Sequence, residues 1–503
     1  MTTHHNQLLT MKTYFKRILL LGLFFGPLFG QAQINHSETV PRNPFLADSP
    51  WPTYHGNSYR QSYSDFAGPL DSEKVTVKVL KGIKGGTSPW TYFSEKYPNG
   101  KRAILQSNAT HFYKMVDDKQ GIRIVSKVKI DSDWLKSFGW NFLQTKGNVW
   151  YTYDPKYNPK KGEYTRLFKI TDAQPDNIYS KLVVQDTFSF KDIAKDKVQH
   201  FAINYSGQIA FYSGDNKKGN DAVFGIIAPN FSLLDTLLIK PVPNEIFGHN
   251  AFPIDEDNAM YVVTTHRLIQ INWDGVALTK GFEAWYDFVK DGPKGRFAEG
   301  SGTTPTLMGF RQGADKLIIV ADGHQKNNLL AFWREIPKTW NGLPGEDMRL
   351  AGKIQLPAAK RFSEKFQSIE NSPTVYGYDV AIAQFNGFLG QGKKPMKGVQ
   401  KVRWNVDTDR FEIQWVNTEI NMNGVLTYSK GSNMVYGSGR EAGCNYYYYG
   451  LDWDTGELVF RKHLGKACKW LNNPWDDGGC QQIIDEEGNL YYAGGASLVK
   501  LEK

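Results

Sequence analysis

The sequence predicts an all-β chain folded as an eight-bladed β-propeller of four-stranded antiparallel blades, with seven blades as the alternative. Three observations carry this. One strand-turn-strand pattern recurs eight times along the 503 residues, at a spacing of roughly 50–70 residues, which suits blades that carry insertions. Aromatic residues reach 14%, with 48 glycines and 23 prolines, a composition that favours short strands and tight turns over helices. Charged residues are only 22% against 41% hydrophobic, so the chain has a core to bury and is not disordered.

The first element is a leader. Lys16-Arg17 precedes the apolar stretch Ile18 to Phe25, and the small-residue run Gly26 to Gly30 leads to Gly30-Gln31-Ala32. A basic flank, about a dozen apolar residues and a small-residue end define a signal peptide over 1–32 with a secreted or periplasmic product. The competing reading is an uncleaved anchor, which Pro27 and the glycines shorten. Loss of Lys12, Lys16 and Arg17 with the leader lowers the net charge from +9 to +6. No Lys/Arg block stands out, so nucleic acid is not an expected partner. No second apolar run is long enough to span a membrane.

An N-terminal extension occupies 33–74 and a single propeller domain 75–503. The clearest hairpins are 200–205 with 208–212, 249–254 with 259–263, and 303–308 with 316–320. Further copies are 371–376 with 379–383, 423–428 with 433–437, and 479–484 with 489–493. Weaker copies start near Gly86 and Gly139. Third and fourth strands follow at 402–406 with 411–415 and at 446–451 with 458–460, each pair joined by an Asp turn. A segment from Ala331 reads as an insertion before the sixth hairpin. The chain stops after a third strand, 497–501, and the alternating Val75 to Leu80 is placed to complete that last blade and join the ends of the ring. The three cysteines, Cys444, Cys468 and Cys480, match no zinc spacing; in an exported chain, Cys444–Cys468 is the favoured pair.

Leu451-Asp452-Trp453-Asp454-Thr455-Gly456-Glu457-Leu458-Val459-Phe460 resembles the tryptophan-docking motif of the quinoprotein-like eight-bladed propellers, with Phe460 in place of the usual Trp. Asp485 to Tyr491 is similar to that family's inner hairpin. Trp51-Pro52-Thr53-Tyr54-His55-Gly56, followed by Arg60 and Ser62, resembles the opening segment of such enzymes. The resemblance implies the propeller and, as one function, quinone-dependent dehydrogenation. Against that function, the sequence lacks the adjacent cysteine pair that covers the quinone in those dehydrogenases, and it has no C-x-x-C-H haem motif. Pyrroloquinoline quinone is therefore not the expected cofactor.

Polar residues recur at the starts of the inner strands: His200, His249-Asn250, Glu370-Asn371, Asn421, Asn423 and Asp476-Asp477. Inner strands line a propeller's channel, so these residues are expected to ring one mouth. His249, Glu370 and His200 are the candidate acid–base groups, since an imidazole titrates near neutral pH. Glu370, Asn371, Asn423, Asp477 and Asn250 form the candidate metal set, oxygen-rich and therefore suited to Ca²⁺. Turn capping is the competing role for every one of them. The expected function is binding of a small or carbohydrate-like ligand at this mouth, with Ca²⁺-assisted catalysis. The alternative is a non-catalytic scaffold with an envelope protein partner.

Overall fold

The computed structural model describes residues 40–503 except 84–89, 109, 131–141, 215–218, 249, 288–299, 325, 359–368, 386–394, 469–472 and 477–480. The described strands form eight sheets arranged as one propeller ring. Blades 1 to 8 cover 90–129, 142–189, 198–239, 250–285, 306–355, 374–417, 427–466 and 483–502. The starts of the Gly86 and Gly139 copies, and Cys480, lie outside the described residues; the strands Trp90–Phe93 and Phe142–Thr145 follow those starts.

The apolar core sits between blades. One cluster joins Leu143, Tyr151 and Leu167 of blade 2 to Phe201, Phe211 and Val223 of blade 3. Another joins Tyr436, Tyr448 and Phe460 of blade 7 to Ile484, Tyr492 and Val499 of blade 8. The inner strands thus spend one side-chain face on each neighbouring blade, which is why they are buried and largely apolar on both faces.

Three inner hairpins share one turn. Asn204, Asp255 and Asp485 each cap it with Oδ1, accepting from the backbone N–H four residues on at 2.8, 2.9 and 2.7 Å. The residue three places after each cap is left-handed: Gly207 at φ 82°, Asn258 at 65° and Gly488 at 88°. Only Gly and Asn take that backbone at little cost, which explains the recurring Asp/Asn…Gly/Asn turns of the sequence.

Blade 4 departs from the hairpin rule. Its regular strands are Met260–Val263, Arg267–Trp273 and Leu278–Trp285, and the inner segment joins them through the isolated Ile254–Met260 bridge and the Tyr261 N–H to Pro253 O bond, not as a regular strand. Pro253 removes one ladder donor, and the Phe252 carbonyl and Ile254 N–H are bonded to the extension instead.

Blade 5 corrects the reading of residues from Ala331 as an insertion. Asn328–Trp333 and Leu350–Gln355 are its third and fourth strands. The short Trp333 strand and the polar connection after it hid the pattern.

The ring closes as the alternation of Val75 to Leu80 requires. Thr76–Lys81 pairs antiparallel with Ser497–Glu502, from Thr76 opposite Glu502 to Lys81 opposite Ser497. Two ion pairs reinforce the junction of blades 8 and 1: Lys500–Asp117 at 2.7 Å and Arg102–Glu486 at 2.7 Å. Cys444 and Cys468 form a disulfide across the outer hairpin of blade 7. Among the described residues no helix is long and apolar enough to cross a membrane.

Candidate functional site: a plugged axis beneath a polar mouth

The two mouths differ because of the N-terminal extension. Residues 40–70 cover the mouth formed by the inner hairpin turns, and 51–64 touch the inner segment of every blade. Tyr54 packs on Trp90 of blade 1 at 4.4 Å, and Thr53 bridges Leu143 of blade 2. Asn43 Nδ2 donates to Ile203 O of blade 3 at 3.1 Å. Ile254 N donates to Ser58 O in blade 4, Leu307 N to Tyr59 O in blade 5, Val375 N to Gln61 O in blade 6 and Tyr428 N to Ser62 O in blade 7, all at 2.9–3.1 Å. His55 N donates to Gln481 Oε1 of blade 8 at 3.0 Å. Tyr63–Ser64 then runs parallel to Thr427–Ser429 as an added innermost strand. The extension is therefore a plug hydrogen-bonded around the ring.

A pocket of about 380 Å³ lies on the outer side of this plug, lined by Arg42, Asp48, Asn57, Tyr63, Asp65 and Arg102 among others. It is at the opposite mouth from the polar residues expected to form the site.

At the strand-start mouth, the described candidates fall into three groups. Asn250 and Asn371 act as staples between blades: Asn250 Nδ2 donates to Ser301 O at 2.9 Å, and Asn371 Nδ2 to Asn423 O at 2.9 Å. Threonines one step deeper repeat the device, Thr374 Oγ1 to Leu426 O at 2.7 Å and Thr427 Oγ1 to Gln482 O at 2.5 Å. Each staple fixes its amide plane and leaves Oδ1 as an acceptor. Glu370 is 8% exposed and lies against Gly302, where any Cβ would collide with its carboxylate. Thr304 N donates to Ser372 Oγ at 3.0 Å, and Ser301 Oγ bonds Thr303 Oγ1 at 2.9 Å. Glu370, Asn371, Asn423 and Asn250 thus share one continuous polar arc over blades 4 to 7.

His200 does not belong to that arc. It is 1% exposed, in Val198–Ile203, and its ring packs on Tyr54 at 5.5 Å and Phe252 at 5.6 Å. Burial, with Arg60 and His55 nearby, holds its imidazole well below the usual histidine range. His249 and Asp477 lie outside the described residues. Among the described residues, no three His, Cys, Asp or Glu side chains group as a metal site.

Comparison with known proteins places the architecture. No family model matches the sequence. A protein of Archaeoglobus fulgidus, described as an uncharacterized protein, is 26% identical over 447 residues, covering 84% of this chain and 82% of its own length. Three solved structures superpose over most of the ring. The quinohaemoprotein alcohol dehydrogenase of Pseudomonas putida has a TM-score of 0.54 at 11% identity, covering 90% of this chain and 80% of that one. A europium-containing methanol dehydrogenase has 0.54 at 8%, covering 90% of each chain. The quinohaemoprotein alcohol dehydrogenase of Comamonas testosteroni has 0.52 at 10%, covering 92% and 82%. The chain shares the eight-bladed fold of the quinoprotein dehydrogenases.

The quinoprotein-type docking motif is realised, with its tryptophan supplied from the preceding blade. Trp415 Nε1 donates to Trp453 O at 2.9 Å, and its ring covers Gly456, which is left-handed at φ 73°. The disulfide of this propeller differs from the one that covers the quinone: it joins residues 24 apart on the outer hairpin of blade 7.

Inner-strand patterning passed over the plug residues His55, Arg60 and Ser62. All three are buried and left-handed, at φ 58°, 65° and 58°. The signal was their place in the Trp51 to Ser62 segment, whose resemblance marks an opening but says nothing about a route along the axis.

Proposed function

We propose that this chain is an exported propeller whose strand-start mouth binds a small, polyhydroxylated, carbohydrate-like ligand. The observation that carries the reading is the fixed acceptor arc. Asn250 and Asn371 are pinned through Nδ2 to the carbonyls of Ser301 and Asn423, on the same arc as the Glu370 carboxylate, which lies against Gly302 beside Ser301. Neighbouring hydroxyls donate hydrogen bonds well to such preorganised acceptors, and little ordering entropy is lost on binding. The plug makes the mouth blind, so a ligand enters and leaves by one side.

His249 is placed by sequence next to Asn250 and serves in this reading as the acid–base partner of Glu370. Calcium belongs to the same reading through Asp477, since the described donors contribute one carboxylate, Glu370, beside amides. The leader supports export. Titration calorimetry of the mature protein against neutral mono- and disaccharides, with and without Ca²⁺, tests the proposal. Saturable heat with at least one sugar supports it. No heat with any sugar, in either condition, contradicts it.

A further inference from the structure

The deepest part of the axis holds a group of donors that the sugar-binding reading does not use. Arg60 is 1% exposed and makes hydrogen bonds only to neutral oxygens: Nε to Phe252 O at 2.9 Å, Nη1 to Tyr54 O at 2.7 Å and to Thr53 Oγ1 at 3.1 Å. His55 is fully buried; its Nδ1 meets Ser62 Oγ at 2.8 Å, and its Nε2 has no hydrogen-bond partner. Both ring nitrogens of His200 are buried without a partner, as are Gln481 Nε2 and Trp90 Nε1.

These groups surround one ring. Measured from Tyr54, His55 is at 4.0 Å, Trp90 at 4.4 Å, His200 at 5.5 Å and the Arg60 guanidinium carbon at 5.9 Å. Gln481 is tied to the same spot through the His55 N–H. Arg60 acts on both imidazoles and His55 also acts on His200, and the groups acting on Arg60 are the phenols of Tyr54 and Tyr92. No carboxylate among the described residues faces the cluster.

A guanidinium taken out of water without an anion is costly, and so is each buried N–H left unpaired. An anion among them would offset both costs. The plug backbone also holds His55 and Arg60 in the left-handed region, a strain that persists only where surrounding structure enforces it and that concentrates at ligand-binding sites.

We propose that the cluster of His55, Arg60 and His200 is an oxyanion-binding site on the propeller axis. The planar guanidinium and the imidazole N–H groups suit a carboxylate or a tetrahedral oxyanion. Two sources share that chemistry: a free inorganic oxyanion, and the carboxylate of a sugar acid admitted through the strand-start mouth.

The test is a thermal-shift and calorimetric titration of the mature protein at fixed ionic strength. The probes are inorganic phosphate, sulfate, D-galacturonate and neutral D-galactose, with chloride as the background salt. The expected result is saturable stabilisation by at least one oxyanion, weakened at least tenfold in apparent affinity in His200→Phe. Saturation by phosphate or sulfate assigns the inorganic source, and saturation by galacturonate alone assigns the sugar acid. Should His200→Phe fail to fold, Gln481→Leu carries the same expectation without touching an imidazole. The proposal is overturned if no oxyanion shifts the wild-type protein beyond chloride, or if a folded variant responds as strongly as wild type. Binding of galactose with no oxyanion effect would leave the mouth reading standing and remove this site.

Discussion

Arg60 Nε donates to the carbonyl of Phe252 at 2.9 Å, so a residue of the N-terminal extension completes the inner edge of blade 4. The same guanidinium reaches back to Tyr54 O at 2.7 Å. Extension and ring therefore stabilise one another, and the left-handed turn at Arg60 is held from both sides. Arg60→Met is expected to lower stability by about 3–5 kcal/mol, the scale of losing several charge-assisted bonds to buried acceptors. Chemical denaturation of the mature protein reads it; a change below about 1 kcal/mol would mean the plug is not clamped through this residue.

The closure strand offers a second measurement. Thr76–Lys81 lies along Ser497–Glu502 over six residue pairs. At about 1 kcal/mol for each ladder bond lost, together with the newly exposed edge, deleting 76–81 is expected to cost on the order of 5 kcal/mol and to promote association through that edge. Calorimetric melting with light scattering checks both; an unchanged melting temperature in a monomeric protein would refute closure.

Much of this was legible beforehand for a physical reason. Asp255 and Asp485 cap turns whose third following residue is left-handed, and that requirement writes Asp…Asn and Asp…Gly into the sequence of blades 4 and 8. The alternation of Val75 to Leu80 likewise follows from a strand with one face against the ring. The route of Trp51 to Ser64 was not legible, because its order comes largely from backbone bonds to several different blades, and such contacts leave no periodicity. His200 read as a mouth residue because its sequence position matches Asn250 and Glu370. Its ring turns instead onto Tyr54 and Phe252, an outcome set by the plug.

The buried pair Lys114–Asp172 joins blades 1 and 2 at 2.6 Å, with Tyr97 also donating to Asp172. Both side chains are at most 1% exposed. Lys114→Met alone strands a buried carboxylate and should cost about 3–5 kcal/mol, whereas Lys114→Met with Asp172→Leu should recover much of it. A double-mutant cycle by urea denaturation decides; equal loss in the single and double variants would contradict the pairing.

Acid should weaken this fold in a way that depends on His200. Burial holds the His55 and His200 imidazoles well below their unfolded pKa, about 6.5. The unfolded chain therefore takes up more protons below that pH, so stability is full above it and falls as pH drops toward the folded pKa. Each buried imidazole contributes a loss of up to about 1.4 kcal/mol per pH unit. Between pH 7.5 and 5, His200→Phe should show a shallower decline than wild type. Parallel curves would show that His200 does not titrate in this way.

The most direct test of the central claim is calorimetric titration of a sugar that binds the mature protein, compared between wild type and Glu370→Gln. Glu370 is the carboxylate of the acceptor arc, and the amide keeps its shape against Gly302. The account predicts at least a tenfold loss of affinity with an unchanged melting temperature. Equal affinity in the two proteins would place the ligand away from the strand-start mouth and contradict it.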